Sequence, residues 1–128
     1  MVTSADMLAY VNEKMSERSA GKYDMPIYQI ILYEHCVNAD NTCNFWGYDY
    51  GWYDSPGYFH DLSDAISAMN NNLGDIHESM FNAGYIICRF QGLYCLCAPE
   101  ARMYFEWDEE RQGFFQKEEP ESLNNQMF

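Results

Sequence analysis

Basic residues are scarce in this chain. Seven Lys and Arg stand against twenty Asp and Glu among 128 residues, giving a formal charge of −13 and a pI near 4.3. Such a field repels nucleic acid and anionic membrane surfaces alike, which argues against either as a direct ligand. No apolar run approaches the ~20 residues needed to span a bilayer. Met1 to Tyr10 has neither the basic segment nor the apolar stretch of a secretory leader. Phosphate loops, dinucleotide fingerprints and nucleophile elbows are missing too. The five cysteines (Cys36, Cys43, Cys88, Cys95 and Cys97) are odd in number, and several fall in apolar, strand-like runs. Reduced, partly buried thiols of a cytoplasmic protein account for this better than a disulfide framework.

Apolar material is plentiful. A 48% apolar and 17% aromatic share can fill one core, and this length suits one domain. Disorder needs high net charge together with few bulky apolar residues, and only the first condition holds. The sequence predicts a folded domain over 1–117 and an acidic, unstructured tail over 118–128.

Local patterns predict the elements. Thr3 or Ser4 caps a first helix, with Asp6 in its first turn and Met7, Leu8, Val11 and Met15 as its apolar stripe. Ala20-Gly21 stops it. Ile27 to Tyr33 is apolar on both faces, as a central strand is. After a polar loop from Val37 to Asn44, Phe45 to Tyr53 alternates rings with small or acidic residues, a strand with one aromatic face. Asp54 to Gly57 is a turn. Asp61 opens a second helix whose stripe is Leu62, Ala65, Ile66, Met69, Leu73 and Ile76. Asn70-Asn71-Asn72 and Gly74 favour a break within it, and Asn82-Ala83-Gly84 its end. Tyr85 to Phe90 and Leu93 to Cys97 flank Gln91-Gly92 as a hairpin. Arg102 to Trp107 turns Met103, Phe105 and Trp107 inward, and Phe114-Phe115 follows an acidic loop. The order α-β-β-α-β-β-β predicts an α+β fold, an antiparallel sheet of four to five strands with two helices packed on one face.

Candidate chemistry is thin. His35 and Cys36 adjoin on a strand, where neighbours point to opposite faces, so they do not form a nucleophile pair. Cys95-Leu96-Cys97, with Cys88 across the hairpin, lacks the second half of a structural zinc site and reads as core. Asp40-Asn41-Thr42 and Asp108-Glu109-Glu110 do not follow the calcium-loop pattern. No catalytic residue, metal or cofactor is therefore assigned. What stands out is charge and rings together. No Lys or Arg occurs between Lys22 and Arg89, and a second acidic cluster runs from Glu106 to Glu121. Trp46, Asp49, Tyr50, Trp52, Asp54, Asp61, Asp64, Glu106, Asp108, Glu109 and Glu110 are the candidate partner-binding residues. Tyr and Trp offer contact area at small entropic cost, and the carboxylates offer charge to Lys or Arg on a partner.

The interval from Tyr23 to Cys88, the run Tyr48-Asp49-Tyr50-Gly51-Trp52-Tyr53-Asp54 and the run Trp107-Asp108-Glu109-Glu110 resemble the small acidic inhibitors of phages and mobile elements. These are the anti-CRISPR proteins and the antirestriction DNA mimics. The resemblance is one of composition and implies no individual residue roles. It implies a non-enzymatic inhibitor, in the host bacterial cytoplasm if phage-encoded, that occupies a nucleic-acid-binding or catalytic surface of a basic partner such as a CRISPR–Cas effector or another nuclease. Acidic immunity proteins against nuclease toxins share the likeness. A small Cys/His-dependent enzyme or a metal-binding domain is the alternative from another class.

Overall fold

The computed structural model describes residues 1–17, 26–37, 43–49, 58–89 and 101–120, with residues 17, 34–37, 43–49 and 58 entering as backbone only. The elements are α1 (Ser4–Glu17), β1 (Ile27–Val37), β2 (Cys43–Asp49), β3 (Tyr58–Phe59), α2 (Leu62–Asn70), β4 (Ala83–Arg89), β5 (Arg102–Asp108) and β6 (Gly113–Gln116). Among the described residues the strands form one sheet in the order β2-β1-β4-β5-β6, with two-residue β3 paired to β1. Every pairing is antiparallel. The expected α+β class and element order hold, with β3 as a small addition.

Both helices start where their caps place them. Thr3 and Asp6 cap each other: the Thr3 amide donates to Asp6 Oδ2 at 2.9 Å, and the Asp6 amide donates to Thr3 Oγ1 at 3.1 Å. Two otherwise orphaned N–H groups are thereby satisfied. Asp61 caps α2, accepting from the Ser63 amide at 3.2 Å and the Ser63 hydroxyl at 3.0 Å. The helix stops at Asn70, within the Asn triplet that predicts a break. Asn72, Asp75, Glu78 and Ser79 then take left-handed backbone, at roughly 1–2 kcal/mol each. Asn72 offsets part of this by accepting the His77 amide at 2.9 Å and donating to Asp75 at 3.2 Å.

The sheet buries both faces. On one, Tyr28, Ile30 and Leu32 meet Met7 and Val11 of α1 and Leu62, Ala65, Ala68 and Met69 of α2, with Ile86, Cys88, Met103, Phe105 and Phe114. On the other, Ile31, Tyr33, Ala83, Tyr85, Ile87 and Tyr104 cluster. β1 is therefore an interior strand, paired on both edges, as its apolar run predicts. Each fully buried Leu, Ile, Phe or Met contributes about 1.5–3 kcal/mol.

Several expectations need correction. Leu8 and Met15 are exposed, as is Leu73. Met7 and Val11 make the α1 contact line, and residues 100° apart around a helix leave Leu8 and Met15 to one side of it. Leu73 lies beyond the end of α2, where helical spacing no longer applies. β2 begins at Cys43, inside the expected loop, and Cys43 pairs with Val37. Ala83 and Gly84 open β4 and do not end a helix. Gly84 serves close packing: a Cβ there would come within 2.6 Å of Leu32 Cδ2 and 3.0 Å of the Ile31 carbonyl oxygen. β4 pairs along its second edge with β5, from Ala83↔Glu106 to Ile87↔Arg102. That pairing buries Met103 and Phe105 beside Ile86, and the expected Gln91-Gly92 turn lies outside the described residues. Leu93 to Cys97, Ala20-Gly21 and Asp54 to Gly57 lie outside the described residues.

Candidate functional site

The acidic turn between β5 and β6 is fastened from several sides. Asp108 accepts from the amides of Glu110 (3.0 Å) and Arg111 (3.1 Å), and its Oδ2 pairs with Arg111 Nε at 2.8 Å. The Arg111 bonds, side chain first, hold its carboxyl below the ordinary carboxylate value. Trp107 Nε1 donates to Glu109 Oε2 at 2.7 Å, and Gln112 donates to the Glu109 carbonyl at 2.6 Å. Gln112 takes left-handed backbone. Gly113 closes the turn against the end of α2, where a Cβ would fall 1.9 Å from the Asn70 carbonyl oxygen.

Behind this turn lies a ring stack. His77 lies flat on Trp107, centroids 3.6 Å apart and planes 3° from parallel, and Phe114 meets both rings edge-on. The Trp107 amide also donates to the Asn82 carbonyl at 2.9 Å. The segment from Asn71 to Asn82 is thereby tied to the acidic turn, with Ile76 and Phe81 buried and Asp75 and Glu78 exposed. One end of the sheet thus carries Asp75, Glu78, Asp108, Glu109 and Glu110.

The sequence-predicted residues do not form one cluster. Asp61 and Asp64 sit at the start of α2, the helix end remote from Gly113. Burial, together with neighbouring Cys88 and Asp61, pushes the Tyr28 phenol up to about 12. Glu106 is half-buried and accepts from the Tyr104 hydroxyl at 2.9 Å, which makes it part of the second sheet face. Trp46 and Asp49 lie on β2, across from Glu34 and Ile31. This is the opposite edge of the sheet from β6. Tyr50, Trp52 and Asp54 fall outside the described residues. Asp75 and Glu78 were not predicted; only the fold brings them to the acidic turn.

Among the described residues most cations are engaged by the protein. Arg102 is buried and pairs with Glu119 at 3.2 Å. Arg89, half-buried, donates to Gln29. Lys14 lies 5.6 Å from the Tyr10 ring centroid. Arg111 lies 3.6 Å over Phe115 in addition to its bond with Asp108. Lys117 is exposed.

A second polar group occupies the other sheet face. Arg102, Tyr104 and Glu106 alternate with inward Met103, Phe105 and Trp107, so this face was legible as polar in the sequence, where Glu106 alone of the three was given a role. Burial, then the nearby Glu119 carboxylate, pushes the Tyr85 phenol well above its ordinary value. Glu119, placed by sequence reading in the tail, thus rests on the sheet. A cleft of about 230 Å³ opens here, lined by Val2, Arg102, Tyr104, Lys117, Glu118 and Glu119.

Among the described residues no three His, Cys, Asp or Glu side chains converge as metal ligands. Cys88 is buried in the helix-side core. No helix among these residues is long and apolar enough to cross a membrane. Comparison with protein-family models, with curated proteins and with solved structures finds no match.

Proposed function

We propose that this protein is a non-enzymatic inhibitor of the anti-CRISPR kind, which binds a basic nucleic-acid-handling protein and occludes its nucleic-acid-binding or catalytic surface. One observation carries the reading. Most of the described cations turn inward or pair within the fold, while Asp75, Glu78, Glu109 and Glu110 stand exposed on fastened turns. The outward field is therefore more one-sided than the net charge alone requires. Proteins that grip nucleic acid through its phosphates present a positively charged channel, and fixed carboxylates can take the place of those phosphates. Charge complementarity speeds encounter, while packed contacts set dissociation.

The test uses Glu78→Lys and Glu110→Lys, singly and together, and leaves Asp108 intact because it holds the turn. Substrate cleavage by a purified CRISPR effector is measured with and without the protein at rising salt. Inhibition that weakens with salt and falls at least tenfold in the double variant supports the reading. Unchanged inhibition by the double variant, or no inhibition of any basic nuclease tested, refutes it.

A further inference from the structure

The stretch between α2 and β4 leaves two large apolar side chains in water. Leu73 is 49% exposed and Met80 43%. Between them the chain is pinned inward. Ile76 and Phe81 are buried in the helix-side core, the Asn72 side chain accepts the His77 amide, and the His77 ring lies on Trp107. Pinning the middle turns the residues on either side outward: Leu73, Gly74 and Asp75 are exposed before it, and Glu78, Ser79 and Met80 after it. A Cβ on Gly74 would meet nothing within 4 Å. Each exposed triplet therefore carries one large apolar side chain and, two residues away, one carboxylate.

The segment is held in this shape. Asn72, Asp75, Glu78 and Ser79 have φ between +48° and +54°, a conformation that persists in such residues only where the surrounding structure fixes it. Amides of Asp75, Glu78 and Met80 donate to the carbonyls of Asn72, Asp75 and His77 at 3.0, 3.2 and 3.0 Å. Seven residues of chain span at most roughly 25 Å, and these turns shorten that. Leu73 and Met80 thus fit within one standard interface, about 30 Å across. Leu8 and Met15 on α1 are exposed to a similar degree but sit on an ordinary capped helix, and single exposed apolar side chains need no special account.

We infer that residues 72–80 are the recognition loop, in which Leu73 and Met80 enter an apolar recess of the basic partner while Asp75 and Glu78 meet Lys or Arg at its rim. This rests on the binding function proposed above and names its anchoring residues. An apolar centre with a charged rim is how specific interfaces are built, and a loop already held in place loses little freedom on binding. A second copy of this chain is a poor occupant, because it would bring two acidic ends together in a molecule of charge −13.

The probes are two short fluorescein-labelled peptides of equal charge, one of lysine and leucine and one of lysine and serine, each added to the full chain. Affinity is read by fluorescence anisotropy, and the site by the methyl resonance of Met80 in methionine-labelled protein. Leu73→Gln/Met80→Gln is compared with Leu8→Gln/Met15→Gln; all four side chains are at least 42% exposed, so neither pair disturbs the core. We expect the parent to bind the leucine peptide about tenfold more tightly than the serine peptide. The loop variant should lose that margin, the helix variant should keep it, and the Met80 methyl should shift. No margin in the parent, equal losses in the two variants, shifts confined to other methionines, or no binding overturns the loop proposal. Self-association of the parent that the loop variant abolishes also overturns it, by giving the loop to a second copy. The inhibition assay above judges the function separately: salt-sensitive inhibition retained in full by the loop variant sinks the loop and leaves the function standing. A leucine-peptide margin that depends on the loop, with no basic nuclease inhibited, does the reverse.

Discussion

Gly113→Ala tests whether the acidic turn is as tightly seated as its contacts indicate. The new Cβ would lie 1.9 Å from the Asn70 carbonyl oxygen and 2.8 Å from its carbon, and both atoms are backbone. Ordinary contact begins at 3.4 Å, so β6 and the end of α2 must separate by about 1.5 Å, which no rotamer change can supply. Inserting a methyl into packing of this kind costs roughly 1–3 kcal/mol, occasionally more. For a domain of this size each kcal/mol lowers Tm by about 3–6 °C, so a fall of roughly 5–15 °C is expected. Circular dichroism melts at neutral pH measure it. Gly74→Ala is the control, because its φ is +67° and nothing lies within 4 Å, so only backbone strain of about 1 kcal/mol applies. A Gly113→Ala protein that melts within a degree or two of the parent shows that α2 and β6 are not in contact as described.

Two smaller predictions concern the caps. Hydrogen bonds to Thr3 hold the Asp6 carboxyl below its ordinary value, as those to Arg111 hold Asp108. A depressed folded value means stability present above the unfolded value near 3.8 and lost as pH falls through the folded one. An Asp6→Asn/Asp108→Asn double variant should therefore lose less Tm than the parent between pH 5 and pH 3, and equal losses would show that neither group is specifically paired. Asp61→Ala should cost about 0.5–2 kcal/mol through the lost α2 cap, measured by urea unfolding, and no loss would return Asp61 to a purely partner-facing role.

What the sequence revealed was local. Thr3 with Asp6, Asp61 before Leu62, and the Asn70–Asn72 triplet each act within a few residues, so their geometry follows from side-chain chemistry alone. The apolar run at Ile27 to Tyr33 also marked an interior strand, since few other places bury both faces. Leu8 and Met15 misled because helical spacing gives a stripe but not its width. For β4, sequence proximity pointed to the next segment along the chain, and its pairing with β5 carries no local signal. Among the site residues, Asp108 reads as a surface charge in the sequence, yet its carboxylate organises the turn. Asp75 and Glu78 reach the acidic end only through the His77–Trp107 stack, a contact between segments thirty residues apart that no local pattern reports.

The placement of charge at both ends of α2 bears on what a partner must look like. Nine helical residues span about 14 Å, which separates Asp61 and Asp64 from the Asn70–Gly113 contact and its acidic turn. A standard interface of roughly 800 Å² per partner is about 30 Å across, wide enough to reach both groups if it lies along α2. Exposed charges at such spacing interact weakly, because the Debye length is about 8 Å at physiological ionic strength. Each end then contributes nearly independently to attraction. A partner surface with cationic groups at two places, about 14 Å or more apart, engages both ends, whereas a compact basic knob reaches only one.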